Sequence, residues 1–156
     1  NTQLKFKALC LTEQPGKTEY KQCQYDLNFL PSDSVVIKMQ YAAMGPYDIN
    51  ILNHYYPQSK DQFDSFGIEG VGTVIHVGKE VIAENFVGKK VAYLGVGTVK
   101  VYSEYSIVPV DCIVILDQDT INSDQLLKQS AYLLGNPFTA KGFLNEVLLT
   151  QNHKSI

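Results

Sequence analysis

Apolar and polar positions change places in short bursts through the first 115 residues, and Gly and Pro punctuate them. Lys5–Leu11 alternates weakly and stops at Gln14-Pro15-Gly16, a turn sequence. Gln22–Leu30 follows and is closed by Pro31-Ser32-Asp33. Ser34–Tyr41 opens on the β-branched run Val35-Val36-Ile37, and Gly70–Val77 carries Val71, Val74, Ile75 and Val77. Lys90–Leu94, Thr98–Pro109 around Tyr102, Tyr105 and Ile107, and Ile113–Leu116 complete the series. Runs of this length, half-apolar and closely spaced, predict strands of a barrel or sandwich.

The period then changes. Leu126, Leu127, Ser130, Ala131 and Leu134 lie at helical spacing, which predicts a helix over Asp124–Leu134. Asn122 followed by Gln125 offers a capping box, with Ser123 a competing cap, and Gly135 closes the helix. Asn136 before Pro137 reads as the cap of a second helix, Phe138–Leu149, with Phe143, Leu144, Val147 and Leu148 near one face. The expected division is therefore a β domain over 1–122 and linking helices over 123–156. Beyond them His153-Lys154-Ser155-Ile156 looks like the start of a further strand. A missing partner domain would leave the helices partly bare, so self-association, as a homodimer or by looser packing, is expected through Leu127, Leu134, Phe143 or Val147.

Composition narrows the function. Hydrophobic residues make up 45% and charged residues 19%, enough apolar material for a core. A net charge of −3 gives nothing to attract a phosphate backbone, and no apolar run approaches the ~20 residues of a spanning helix. Neither nucleic acid nor a membrane is expected as a partner. Cys10, Cys23 and Cys112 form no CxxC pair, and no Asn-x-Ser/Thr sequon is present, so a reducing intracellular setting, cytoplasmic or mitochondrial, is expected. All 13 basic residues are lysines, which leaves no guanidinium clamp. His54, His76 and His153 lack metal-ligand spacing, and Gly95-x-Gly97 lacks the third glycine and the following helix of a dinucleotide fingerprint.

The informative segments are Ala42-Ala43-Met44-Gly45-Pro46-Tyr47-Asp48-Ile49-Asn50, Tyr56-Pro57, Phe66-Gly67-Ile68-Glu69-Gly70-Val71-Gly72, Val87-Gly88-Lys89-Lys90-Val91 and Leu134-Gly135-Asn136-Pro137-Phe138-Thr139-Ala140. In this order they resemble the N-terminal domain of the medium-chain dehydrogenase/reductase superfamily, over about Lys7 to Val147. The resemblance implies a mainly β fold with some α: a GroES-like, partly open β-barrel followed by linking helices. Zinc-dependent members carry Cys where this chain has Gly45 and His where it has Ile68, and neither Gly nor Ile can ligate Zn²⁺. No metal site is expected. The chain is similar to the zinc-free branch of quinone oxidoreductases and 2-enoyl thioester reductases.

That likeness implies a site. Tyr56 corresponds to the tyrosine that supplies a proton or orients a water. Asn136 and Thr139 correspond to residues near the nicotinamide of NADPH, and Gly45, Tyr47, Asp48 and Asn50 to a substrate pocket for a small molecule. Two departures from the enoyl-reductase pattern stand out: Gly45 replaces Asn and Tyr47 replaces Ser. Structural alternatives stay open, since Tyr56 also reads as a packed loop aromatic and Asn136 as a helix cap. The implied function is the substrate-side part of an NAD(P)H-dependent reductase of an enoyl thioester, enone or quinone, inactive alone. The rival is a non-catalytic structural or assembly module.

Overall fold

The computed structural model describes residues 2–56, 63–95 and 97–149, with side chains through Glu146. Seven strands form two sheets. β1 (Gln3–Leu11) and β2 (Thr18–Asp26) pair antiparallel. β3 (Ser34–Ala42), β4 (Glu69–Val77), β5 (Lys90–Leu94), β6 (Tyr105–Pro109) and β7 (Ile113–Ile115) form a second antiparallel sheet in the order β6-β3-β4-β5-β7. The pairing of β3 with β4 shifts register at Val36/Ile37 and at Met39/Tyr41. The segment before β6 ties the sheets together: Leu9 N–H donates to Tyr102 O (2.7 Å), Glu104 N–H to Lys7 O (3.0 Å), and Met39 N–H to Glu104 O (3.0 Å). The result is the partly open barrel, its second sheet not closed on itself.

Two apolar clusters fill it. Phe6, Ala8, Cys10, Cys23, Val36 and Ile107 pack between the sheets, and Val35, Ile37, Val74, Val91 and Tyr93 lie on the other face of the five-stranded sheet. Tyr93 is fully buried, and its hydroxyl lies 2.6 Å from Ser106 Oγ, which satisfies both.

The strand expectations differ from the structure in two places. The second strand begins earlier, at Thr18, and ends at Asp26, whose carboxylate accepts the Asn28 N–H and starts a 3₁₀ turn at Leu27–Phe29. The long run Thr98–Pro109 is not one strand. Val99 pairs with Ile107, so the chain doubles back on itself and only Tyr105–Pro109 joins the sheet.

Five helices are present among the described residues: α1 (Pro46–Leu52), α2 (Ala83–Phe86), α3 (Gln118–Asn122), α4 (Asp124–Ser130) and α5 (Asn136–Gly142), the last running into a π-helical turn over Phe143–Leu149. Ser123 is the cap of α4, its Oγ accepting the Leu126 N–H at 3.3 Å, and the alternative box at Asn122 is not used because Asn122 ends α3. Asn136 is the first residue of α5 rather than its cap, and Gly135 takes that place. Leu127 and Ala131 are buried on Val71 of β4, so Leu127 does not belong to the bare face expected of it. Leu134 is half-buried, while Phe138, Phe143 and Leu144 are exposed. The Val147 side chain and the expected strand start at His153 lie outside the described residues. No helix among the described residues is long and apolar enough to cross a membrane.

Candidate functional site

α1 begins at the β3 exit, where Pro46 presets the first turn and the Gly45 N–H donates to Asp48 Oδ2 at 2.8 Å. That bond turns the Asp48 side chain back over the helix start, where it is buried. Glu69 is the first residue of β4 and is buried as well. Gly135 closes down on it: a Cβ there would collide with Glu69 Oε1, and the Gly135 backbone beside the carboxylate favours its ionised form. Gly67 (φ +91°) makes the approach to β4. Its lack of a side chain admits the Tyr102 ring, which a Cβ would meet at 2.8 Å. Tyr102 packs edge-on against Phe66 and donates its hydroxyl hydrogen to Ala43 O at 2.6 Å.

These elements enclose a cavity of about 310 Å³. Its wall includes Gly45, Tyr47 and Asp48 from α1, Ile68 and Glu69 from β4, and Tyr132, Asn136 and Thr139 from the α4–α5 region. The Asn136 amide donates to the Tyr132 hydroxyl, and Thr139 Oγ1 donates to Gly135 O at 2.9 Å, which fixes both side chains on the wall. The two positions that carry zinc ligands in zinc-dependent relatives, Gly45 and Ile68, lie on this same wall.

Five of the seven site residues expected from the sequence are therefore brought together: Gly45, Tyr47, Asp48, Asn136 and Thr139. Tyr56 is not part of the wall. Its ring stacks on Tyr47 with centroids 5.4 Å apart and planes 26° apart, and both rings are about half-exposed. Asn50 sits on α1 away from the wall, where its carbonyl accepts the Tyr55 N–H at 2.8 Å. Glu69, Tyr102 and Tyr132 have site positions that the sequence reading did not assign. Glu69 carried a signal, a carboxylate leading an apolar strand between glycines; Tyr102 carried none, because only tertiary packing brings it to Asp48, and Tyr132 reaches Asn136 across the break between α4 and α5.

Burial raises the pKa of Asp48 above the ordinary carboxylate value, against the stabilising N–H of Gly45. Burial raises Glu69 too, and the nearby Asp48 charge adds to it. Asp48 Oδ1 and Glu69 Oε2 have no hydrogen-bond partner among the described residues. Among the described residues no group of three or more His, Cys, Asp or Glu side chains is placed to hold a metal.

Comparison with known proteins bears on this geometry. Residues 31–118 match the alcohol dehydrogenase GroES-like domain. Prostaglandin reductase-3 from Bos taurus is 35% identical over 82 residues, which are 51% of this chain and 21% of the reductase. The solved quinone oxidoreductase of Pseudomonas syringae pv. tomato DC3000 superimposes with a TM-score of 0.71 at 25% identity, over 92% of this chain and 41% of that one. An enoyl thioester reductase from Candida tropicalis gives a TM-score of 0.69 over 93% of this chain and 44% of that one; at 21% identity this is a likeness of fold. Two structures of the same fold, at 21% and 22% identity, were solved in complex with NADP and with NADPH. The chain thus spans less than half the length of these relatives. It belongs to the alcohol dehydrogenase GroES-like domain family, on the zinc-independent branch of the medium-chain dehydrogenase/reductase superfamily that includes quinone oxidoreductases and enoyl thioester reductases.

Proposed function

We propose that this chain is the substrate-side part of an NAD(P)H-dependent reductase acting on an enoyl thioester, an enone or a quinone, and that it does not turn over alone. The observation that carries the reading is convergence. Residues from α1, β4 and α5, far apart in sequence, meet around one cavity, and Gly45 and Ile68 stand on its wall where Lewis-acid chemistry would need donors. A double bond conjugated to a carbonyl, or a quinone, is already activated for hydride addition.

The residues on the wall fit the nicotinamide end of a cofactor. Thr139 donates its hydroxyl hydrogen to Gly135 O and Asn136 one of its two amide hydrogens to Tyr132, so Asn136 Oδ1 and Thr139 Oγ1 keep lone pairs for an amide N–H₂. When bound, the cofactor supplies a hydride. Tyr56, held by its stack on Tyr47, supplies the matching proton from its phenol or orients a water that does. Tyr47 and Ile68 narrow the cavity and keep it dry around the reacting carbons.

The test is reduction of a panel of 2-enoyl thioesters, enones and quinones by the full-length protein with NADPH. Tyr56→Phe is expected to lower kcat by about 10²–10⁴-fold with the fold intact. Undetectable reduction by the unmodified protein across the panel would favour the non-catalytic module instead.

A further inference from the structure

Asp48 and Glu69 reach the cavity from different elements, α1 and β4, with only 4% and 7% of their surfaces exposed. Asp48 Oδ2 accepts the Gly45 N–H at 2.8 Å, and the Gly135 backbone lies close against the Glu69 carboxylate. Each carboxylate keeps a buried oxygen without a partner among the described residues, Asp48 Oδ1 and Glu69 Oε2. Among the described residues the cavity wall holds no lysine or histidine, and the titratable groups it shares with the pair are the phenols of Tyr47 and Tyr132, with Tyr102 interacting with Asp48 from the segment before β6.

Two ionised carboxylates in one enclosed space without a cation are mutually destabilising, and such a pair titrates as a unit that gives up its second proton late. One contact opposes this: the Tyr102 hydroxyl, which donates to Ala43 O at 2.6 Å, also lies against Asp48 and favours its ionised form, less strongly than burial disfavours it. A buried O–H needs an acceptor.

We propose that Asp48 and Glu69 together retain one proton at neutral pH and present it as a hydrogen-bond donor to the carbonyl oxygen of a ligand in the cavity. The ligand class is a carbonyl conjugated to the reacting carbons, held through its oxygen. The donor stands where negative charge gathers when hydride adds to the far carbon, so it favours the transition state over the bound ground state. The choice of ligand rests on the reductase reading; the retained proton does not.

Infrared difference spectroscopy on the 156-residue chain tests the proton. A carboxylic C=O band above the amide I region is expected at pH 7. It should shift in D₂O, fade as the pH rises, and be absent in D48N/E69Q. Absence of the band in the unmodified chain overturns the proposal and leaves the reductase reading standing. If the double variant does not fold, D48N and E69Q serve singly. Each removes the like-charged neighbour, so the remaining carboxyl should lose its band at lower pH, and an unmoved range in both overturns the pairing. The donor role is read in the full-length protein with carbonyl-¹³C-labelled 2-cyclohexen-1-one. Its bound C=O stretch should move to lower frequency and recover over the pH range in which the carboxylic band fades. In D48N/E69Q, where amides can donate at any pH, the shift should be independent of pH. A stretch unmoved by binding, or a pH-independent shift in the unmodified protein, overturns the donor role. Failure of the reductase reading has a separate signature, no turnover of any acceptor whatever the carboxylic band does.

Discussion

Two carboxyls set the electrostatics of this molecule. Unfolded, Asp48 and Glu69 ionise near their ordinary values of 3.8 and 4.5, and burial raises both in the fold. From about pH 4 upward the unfolded chain releases protons that the folded chain still holds, so stability contributed by these groups falls as pH rises through the folded values and then levels. Urea midpoints across that range should drop less steeply in D48N/E69Q than in the unmodified chain; parallel curves would contradict the assignment. Gly135 is the second lever. Gly135→Ala places a methyl against Glu69 Oε1 and is expected to cost about 1–3 kcal/mol by denaturant titration, since carboxylate or helix start has to move. At this scale the sequence was a partial guide. It marked Asp48 through the family resemblance, and Asn136 through that resemblance and its place before Pro137. It could not mark Tyr102 or Tyr132, whose roles come from contacts between residues 54 and 4 positions apart, from Asp48 and Asn136 respectively, with no local pattern to announce them.

Among the elements, α4 does most to attach the helical region to the barrel. Leu127 and Ala131 bury against Val71, and Ser123 caps the first turn. Leu127→Ala is expected to cost about 2–5 kcal/mol, and Ser123→Ala about 1 kcal/mol, both by chemical denaturation; a Leu127→Ala variant as stable as the parent would place α4 off the sheet. Strand positions were legible wherever β-branched runs met turn residues, as at Val35-Val36-Ile37 after Pro31-Ser32-Asp33. They were least legible at Thr98–Pro109, because alternation is the same whether a run stays straight or folds back, and only the Val99–Ile107 pairing decides it. Helix α1 gave no apolar period long enough to be read, seven residues being under two full turns; its Gly-Pro start and the Gly45–Asp48 bond make it.

At the scale of the whole molecule, the barrel presents a cavity with one face of its helices uncovered. Phe138, Phe143 and Leu144 are exposed there. The isolated chain is expected to associate with a second copy at high concentration, with Phe143→Ser reducing the association in light scattering; a chain monomeric at all concentrations would argue against it. The central claim is that this polypeptide shapes the substrate side of a cleft and meets only the nicotinamide end of the cofactor. The direct measurement is calorimetric titration of NADPH into the 156-residue chain and into the full-length protein. Stoichiometric binding by the full-length protein and no tight binding by the chain is the predicted result. Tight one-to-one binding by the chain alone would contradict it.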